Sequence, residues 1–160
     1  MPTLCDGGMS TSRKIITKNR KAHRDYLVTD RYDAGLVLLG SEIKSIRNHN
    51  INIGDGYVRE KDSELWLMNI HIAPYKDAHN FGHSEPRRPR KLLLHRREIN
   101  RIITKLRENG MTAIPLQVYL ERGRAKVEIG VARGKRRYDK RADLAKRDHN
   151  RQIERALKER

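Results

Sequence analysis

Residues 116–131 read LQVYLERGRAKVEIGV. Leu116, Val118 and Leu120 alternate with Gln117, Tyr119 and Glu121, and after Arg122-Gly123-Arg124 the alternation resumes with Val127, Ile129 and Val131. Side chains of an extended chain point to opposite faces in turn, so this period of two around a Gly-containing turn predicts two antiparallel strands with one buried face. A second pair lies upstream. From Tyr57 to Ile72 two extended runs flank the polar turn Lys61-Asp62-Ser63-Glu64, and the second run, LWLMNIHI, is apolar enough to line a core.

Outward from these hairpins, Tyr26 to Thr29 have strand character and an apolar run, Leu36 to Leu39, follows. GSEIKSIRNHN reads as a short helix capped by Ser41, with Ile43 and Ile46 facing inward and Glu42, Lys44 and Arg47 outward. In LLLHRREINRIITKLRENG, Ile99, Ile102, Ile103 and Leu106 recur at helical spacing, with Arg96, Arg97, Arg101, Lys105 and Arg107 on the outer face and Gly110 supplying a left-handed end. The Pro-, Gly-, His- and Arg-rich connector 73–90 is long enough to be either mobile or functional. Trp66 and Tyr119, inside strands, read as core or barrel surface rather than as base platforms. The fold class expected is therefore α+β, mainly β with about two to three helices: a small antiparallel barrel of the oligonucleotide-binding shape with a basic C-terminal tail. Residues 1–18 read as a flexible leader in which Met9 could be the true start, 19–132 as one domain and 133–160 as the tail.

Charge narrows the function. Lys and Arg number 36 against 20 Asp and Glu, a formal net charge of +16. Such an excess calls for a polyanion, and nucleic acid is the first candidate. A membrane surface fits less well, because the basic residues are spread along the chain and no apolar run nears the roughly 20 residues of a spanning helix. MPTLCDGGMSTSRK lacks the apolar centre of a secretory signal, so a cytoplasmic location is expected. Cys5, the single cysteine, can form neither an internal disulfide nor a Cys-rich zinc site. His79 and His83 are four apart in Pro/Gly-rich sequence rather than on a helix, and His95 reads as a capping or RNA-facing residue. No phosphate-loop, dinucleotide, zincin or nucleophile-elbow pattern occurs. The expectation is a binding protein without catalytic residues, metal or cofactor.

The tail sharpens that expectation. From Arg133 onward twelve Lys or Arg stand against five acids. Helix formers and the pairs Asp143/Arg147 and Glu154/Lys158 favour a helix, yet Leu144, Ala145, Ile153, Ala156 and Leu157 make only a thin apolar stripe. Disorder alone and a helix on binding are expected. Tyr138, between Arg137 and Asp139, has no core neighbours in prospect, and a base or sugar is the better partner for its ring.

Five blocks in order, NRKAHRDY, YDAGLVLLGSEIKSIR, HSEPRRPRKLLLHRREI, AKVEIGVARGK and GKRRYDKR, resemble the small protein B family, the SsrA-binding proteins that partner transfer-messenger RNA in bacterial ribosome rescue. The resemblance runs from about Asn19 to the end. It implies a non-enzymatic barrel that holds the transfer-RNA-like part of transfer-messenger RNA on a stalled ribosome, and a tail that becomes a helix in the empty messenger channel. It implies RNA contacts at Asn19, Asp33, Leu93 and Lys126, a ribosomal signature at Asp139-Lys140-Arg141, and stacking by Tyr138 on a decoding-centre base. Arg20, Lys21, Lys91, Lys135 and Arg136 are added as neighbouring cations. The chain departs from the pattern in two places: His23-Arg24 stands in reversed order, and position 33 is Asp, one methylene shorter than the usual Glu. Core packing is the competing role for Leu93, open also to Leu92 and Leu94. The protein is expected to act as a monomer when bound. Two other readings compete, a general RNA-coating or ribosomal protein and an RNA-processing enzyme.

Overall fold

A computed structural model describes residues 12–75, 85–135 and 137–158. In chain order the elements are β1 (Lys14–Lys18), α1 (Arg20–Asp25), β2 (Tyr26–Leu36), α2 (Gly40–Arg47), β3 (Ile51–Asn52), β4 (Tyr57–Lys61), β5 (Glu64–Met68), β6 (His71–Ile72), β7 (Arg90–Leu93), α3 (Arg96–Leu106), β8 (Met111–Glu121), β9 (Arg124–Gly134) and α4 (Arg137–Lys158). Seven strands form one antiparallel sheet in the order β1-β8-β9-β2-β7-β5-β4, and β3 pairs with β6 separately. The architecture is α+β, mostly antiparallel sheet with four helices among the described residues.

Both hairpins read from the sequence are present. β8 and β9 turn through Arg122 and Gly123, and β4 and β5 through Asp62 and Ser63, all four residues having positive φ. One face of the sheet packs on Ile46 of α2 and Ile99, Ile102 and Ile103 of α3, with Leu65, Leu67, Val118, Val127, Ile129 and Val131 filling the space between. Burying a side chain of this size is worth about 1.5–3 kcal/mol, so this layer is the main source of stability.

Several expectations need correction. Structure begins before Asn19: Lys14–Lys18 pairs with β8, so the leader is ordered at its end. Leu92 and Leu93 end strand β7, and His95 stands at the cap position before α3, one of the two roles the sequence offers it. The first residue before α2 is Leu39, not Ser41, and the Leu39 N–H donates to the Glu42 carboxylate at 3.0 Å. Glu42 does not face out; it is fully buried.

The simple alternation in β8 also fails. The pairing shifts register between Pro115 and Gln117, so Leu116 turns to the opposite face from Val118 and joins Ala22, Ile114 and Ala132 in a second, small core under α1. A bulge of this kind resets the alternation and suits Pro115, which has no N–H for the ladder. Leu116 lies directly over Gly130, where a Cβ would stand 2.9 Å from its Cδ1.

The tail forms α4, a 22-residue helix in the structure. Its N-terminal end is tied to the body: Lys135 Nζ bonds Asp143 and the His23 carbonyl, the Lys135 N–H donates to the Asp25 carbonyl, and Lys140 pairs with Asp25 at 3.4 Å. Beyond this anchor its side chains are exposed.

Candidate nucleic-acid interface

Pairing across the sheet gathers residues far apart in sequence. Leu93 of β7 pairs with Gly35 of β2, Gly35 with Lys126 of β9, Lys126 with Tyr119 of β8, and Tyr119 with Ile15 of β1. Directly paired residues of an antiparallel sheet point to one face, so this row crosses five strands on the side away from α2 and α3. Asp33, two residues before Gly35, and Lys91, two before Leu93, share that face. Four residues expected to meet RNA, Asp33, Lys91, Leu93 and Lys126, therefore lie together.

The competing core role for Leu93 is settled by its neighbour. Leu92 is 1% exposed and points into the core, whereas Leu93 is 52% exposed. Gly35 makes room beside it: a Cβ there would stand 3.3 Å from the Leu93 Cβ.

Around Asp33 the face is held by a small network. The Tyr119 hydroxyl donates to Asp33 Oδ1 at 2.9 Å, Arg13 reaches Oδ2 at 3.5 Å, and the Arg13 guanidinium lies 4.9 Å above the Tyr119 ring. Glu121 pairs with Arg13 at 3.5 Å and with Lys126 at 2.7 Å. Burial and the bond to Asp33 push the Tyr119 phenol well above its ordinary range, so it remains a donor. An acid on a cationic face thus has a physical role: it orients Arg13 and keeps acceptor capacity for an incoming donor.

Asn19 occupies a different place. It is 3% exposed and precedes α1, with its Oδ1 accepting from the Ala22 N–H at 3.1 Å. Its Nδ2 donates to the carbonyls of Pro115 at 3.0 Å and Ile53 at 3.3 Å, and its N–H to Leu116 at 2.7 Å. The side chain locks α1 to the β8 bulge, presenting Arg20 and Lys21 to solvent, with Lys21 paired to Asp55 at 3.1 Å. Lys135 is 13% exposed and engaged with the tail anchor. Tyr138 and Asp139 fall in the first turn of α4, Lys140 and Arg141 follow, and Arg136, His79 and His83 lie outside the described residues.

The sequence reading missed the most heavily bonded group. Glu42 Oε1 receives the guanidinium of Arg90 at 2.9 Å and both its oxygens bond Arg88, at 2.8 and 2.7 Å. Arg90 is itself 0% exposed and also donates to the carbonyls of Ile70, Pro86 and Arg88. Burial alone would raise the Glu42 pKa, but donation from Arg88, the Leu39 N–H and Arg90 outweighs it and holds the carboxyl below its usual range. This triad joins α2 to β7 and so fixes Lys91 and Leu93 on the outer face. Arg13 lies in the segment that reads as leader; the β-branched run Ile15-Ile16-Thr17 is the signal that points to the strand that follows it.

Residues 16–159 match the family model described as SmpB protein. The chain belongs to the SmpB family. It is 55% identical over 147 residues, covering 92% of this chain and 93% of the relative, to the "SsrA-binding protein" of Roseiflexus sp. (strain RS-1). It is 52% identical over 153 residues, 95% of this chain and 98% of the relative, to that of Moorella thermoacetica (strain ATCC 39073 / JCM 9320). A solved structure described as "tmRNA-SmpB: a journey to the center of the bacterial ribosome" superposes with TM-score 0.64 at 42% identity, over 80% of this chain and 93% of the matched one. Among the described residues no helix is long and apolar enough to cross a membrane.

Proposed function

We propose that this protein binds the transfer-RNA-like domain of transfer-messenger RNA (SsrA RNA) and delivers it to stalled ribosomes for trans-translation, with its tail in the vacant decoding centre and messenger channel. The observation that carries the reading is the single outward face on which Asp33, Lys91, Leu93 and Lys126 meet. Lysines supply phosphate attraction, Leu93 an apolar contact for a splayed base or ribose, and Asp33 an acceptor for a base amino group or 2′-hydroxyl, which is how folded RNA is told from bulk polyanion. Asn19 serves as the positioning residue for Arg20 and Lys21. The sheet curls toward an oligonucleotide-binding-like barrel: Gly56, just before β4, sits so close to β8 that a Cβ would stand 3.0 Å from Cγ of Pro115. The protein works as a cytoplasmic, non-enzymatic monomer that needs no cofactor. Small-subunit ribosomal RNA is the partner of α4, met by Tyr138, Asp139, Lys140 and Arg141, with Lys135 and Arg136 at the junction.

Equilibrium binding to transfer-messenger RNA, with ordinary transfer RNA as competitor at two salt concentrations, tests this directly. Preference for transfer-messenger RNA that survives the higher salt is expected; equal affinities collapsing together would leave only a charge-sensing RNA coat. Tyr119→Phe refines the test, since it keeps the ring under Arg13 and removes the hydroxyl from Asp33. Loss of that one bond should weaken RNA binding by about 1 kcal/mol, roughly fivefold. An unchanged affinity would remove Asp33 from the interface.

A further inference from the structure

The outward face does not end at Leu93. Lys91 of β7 pairs with Trp66 of β5, and Trp66 pairs with Arg59 of β4, so an indole stands between two cations on the same side of the sheet. Strand spacing of about 4.8 Å and a rise of about 3.4 Å per residue put Trp66 roughly 8 Å from Leu93. Trp66 is half-buried, and with Met68, Pro89, Arg59 and Lys61 it lines a surface cleft. Arg59, Lys61 and Lys91 are without a carboxylate partner among the described residues. The acid that also lines the cleft, Glu60, is paired with Arg107 at 3.6 Å.

We propose that Trp66 is a stacking shelf for an unpaired RNA base, with Arg59, Lys61 and Lys91 holding the flanking phosphates. The inference rests on the RNA-binding function above and extends its footprint to β5 and β4. A core tryptophan would be fully covered, as Leu65 and Leu67 on either side of it are. A merely solvent-facing one would need neither unpaired cations on its neighbouring strands nor a cleft beside its ring. Aromatic faces bounded by free Arg and Lys are how single-stranded segments are gripped without sequence preference, because every base has a π-face. An apolar protein partner would leave those three cations without compensation on burial, which favours a polyanion with aromatic bases as the occupant.

Trp66 is the only tryptophan in the chain, so its emission reports this site alone. Full-length protein is titrated with transfer-messenger RNA while indole emission and the anisotropy of labelled RNA are read together; acrylamide quenching follows, and heparin serves as a polyanion without bases. RNA should quench Trp66 with the same midpoint as the anisotropy rise and shield it from acrylamide, while heparin does neither. Trp66→Ala should weaken RNA binding about tenfold and Trp66→Phe much less, since a ring remains to stack. Binding with unchanged emission and accessibility overturns the shelf alone. Quenching by heparin equal to that by RNA overturns base stacking, and absence of binding overturns the proposed function and the shelf with it.

Discussion

Glu42→Gln should destabilise the fold by about 3–5 kcal/mol, because it removes the buried countercharge of Arg90 while leaving the guanidinium in place. Both side chains are 0% exposed, so water cannot take over the solvation that the carboxylate provides. Domains of this size have about 5–15 kcal/mol to lose, so the variant should unfold at a much lower urea midpoint with an unchanged denaturant slope. The acid limb gives an independent reading. A carboxyl held below its ordinary pKa in the folded state contributes stability above that ordinary value, near 4.3, and loses it as the pH falls through the folded value. The wild-type chain should therefore weaken on acidification in a window that flattens in Glu42→Gln. Pairing the substitution with Arg90→Met should recover part of the loss, since no fully buried charge is then left without a partner and Arg88, 26% exposed, can turn to solvent. A midpoint unchanged in Glu42→Gln would mean that the triad is not a support of the fold. Because it carries β7, RNA affinity should fall with stability.

Removing residues 139–160 should have the opposite profile: the body stays folded and keeps its RNA affinity, and ribosome rescue is lost. The anchor given up consists of the pairs Lys140–Asp25 and Lys135–Asp143, in which Lys140, Asp25 and Asp143 are 29–46% exposed. Pairs of this kind are worth about 0–1 kcal/mol each, so the urea midpoint should hardly move. None of Asp33, Lys91, Leu93 and Lys126 touches α4 through a hydrogen bond or ion pair among the described residues, which is why the sheet face should bind without it. The measurement compares RNA affinity with peptide tagging on ribosomes stalled on a truncated message. A parallel fall in both would make the tail part of the transfer-messenger RNA grip, and full tagging activity would leave it with no ribosomal role. A 22-residue helix with a thin apolar stripe has little to bury against its own body. Its long cationic surface suits an RNA-walled channel.

Local pattern carried a good part of the fold. The β8–β9 and β4–β5 hairpins have unambiguous turns and an apolar period of two, and α3 has a clean helical stripe. Residues 30–33, DRYD, lie beyond the strand character seen at Tyr26 to Thr29, yet they continue β2. Their polar side chains need no core: Asp33 faces the interface network and Asp30 bonds Lys105 of α3. Glu42 was assigned outward because a carboxylate on a helix is ordinarily solvated. Only the arrival of Arg90 from 48 residues away makes burial favourable. Leu93 could not be separated from Leu92 and Leu94, since a run of three identical side chains is silent about which one faces out.

What the sequence determined by itself is therefore the net charge, the hairpins, the stripe of α3 and, through five ordered blocks, the family. Each is written in residue type or in a spacing of a few positions, where strand and helix geometry act directly. The tertiary structure decided the rest: the bulge that turns Leu116 away from Val118, the Glu42–Arg88–Arg90 triad, and the row that brings Leu93, Gly35, Lys126 and Tyr119 side by side. These depend on strand register and on burial, which are set by partners tens of residues distant. Charges and hydroxyls acquire their roles there from the groups that surround them.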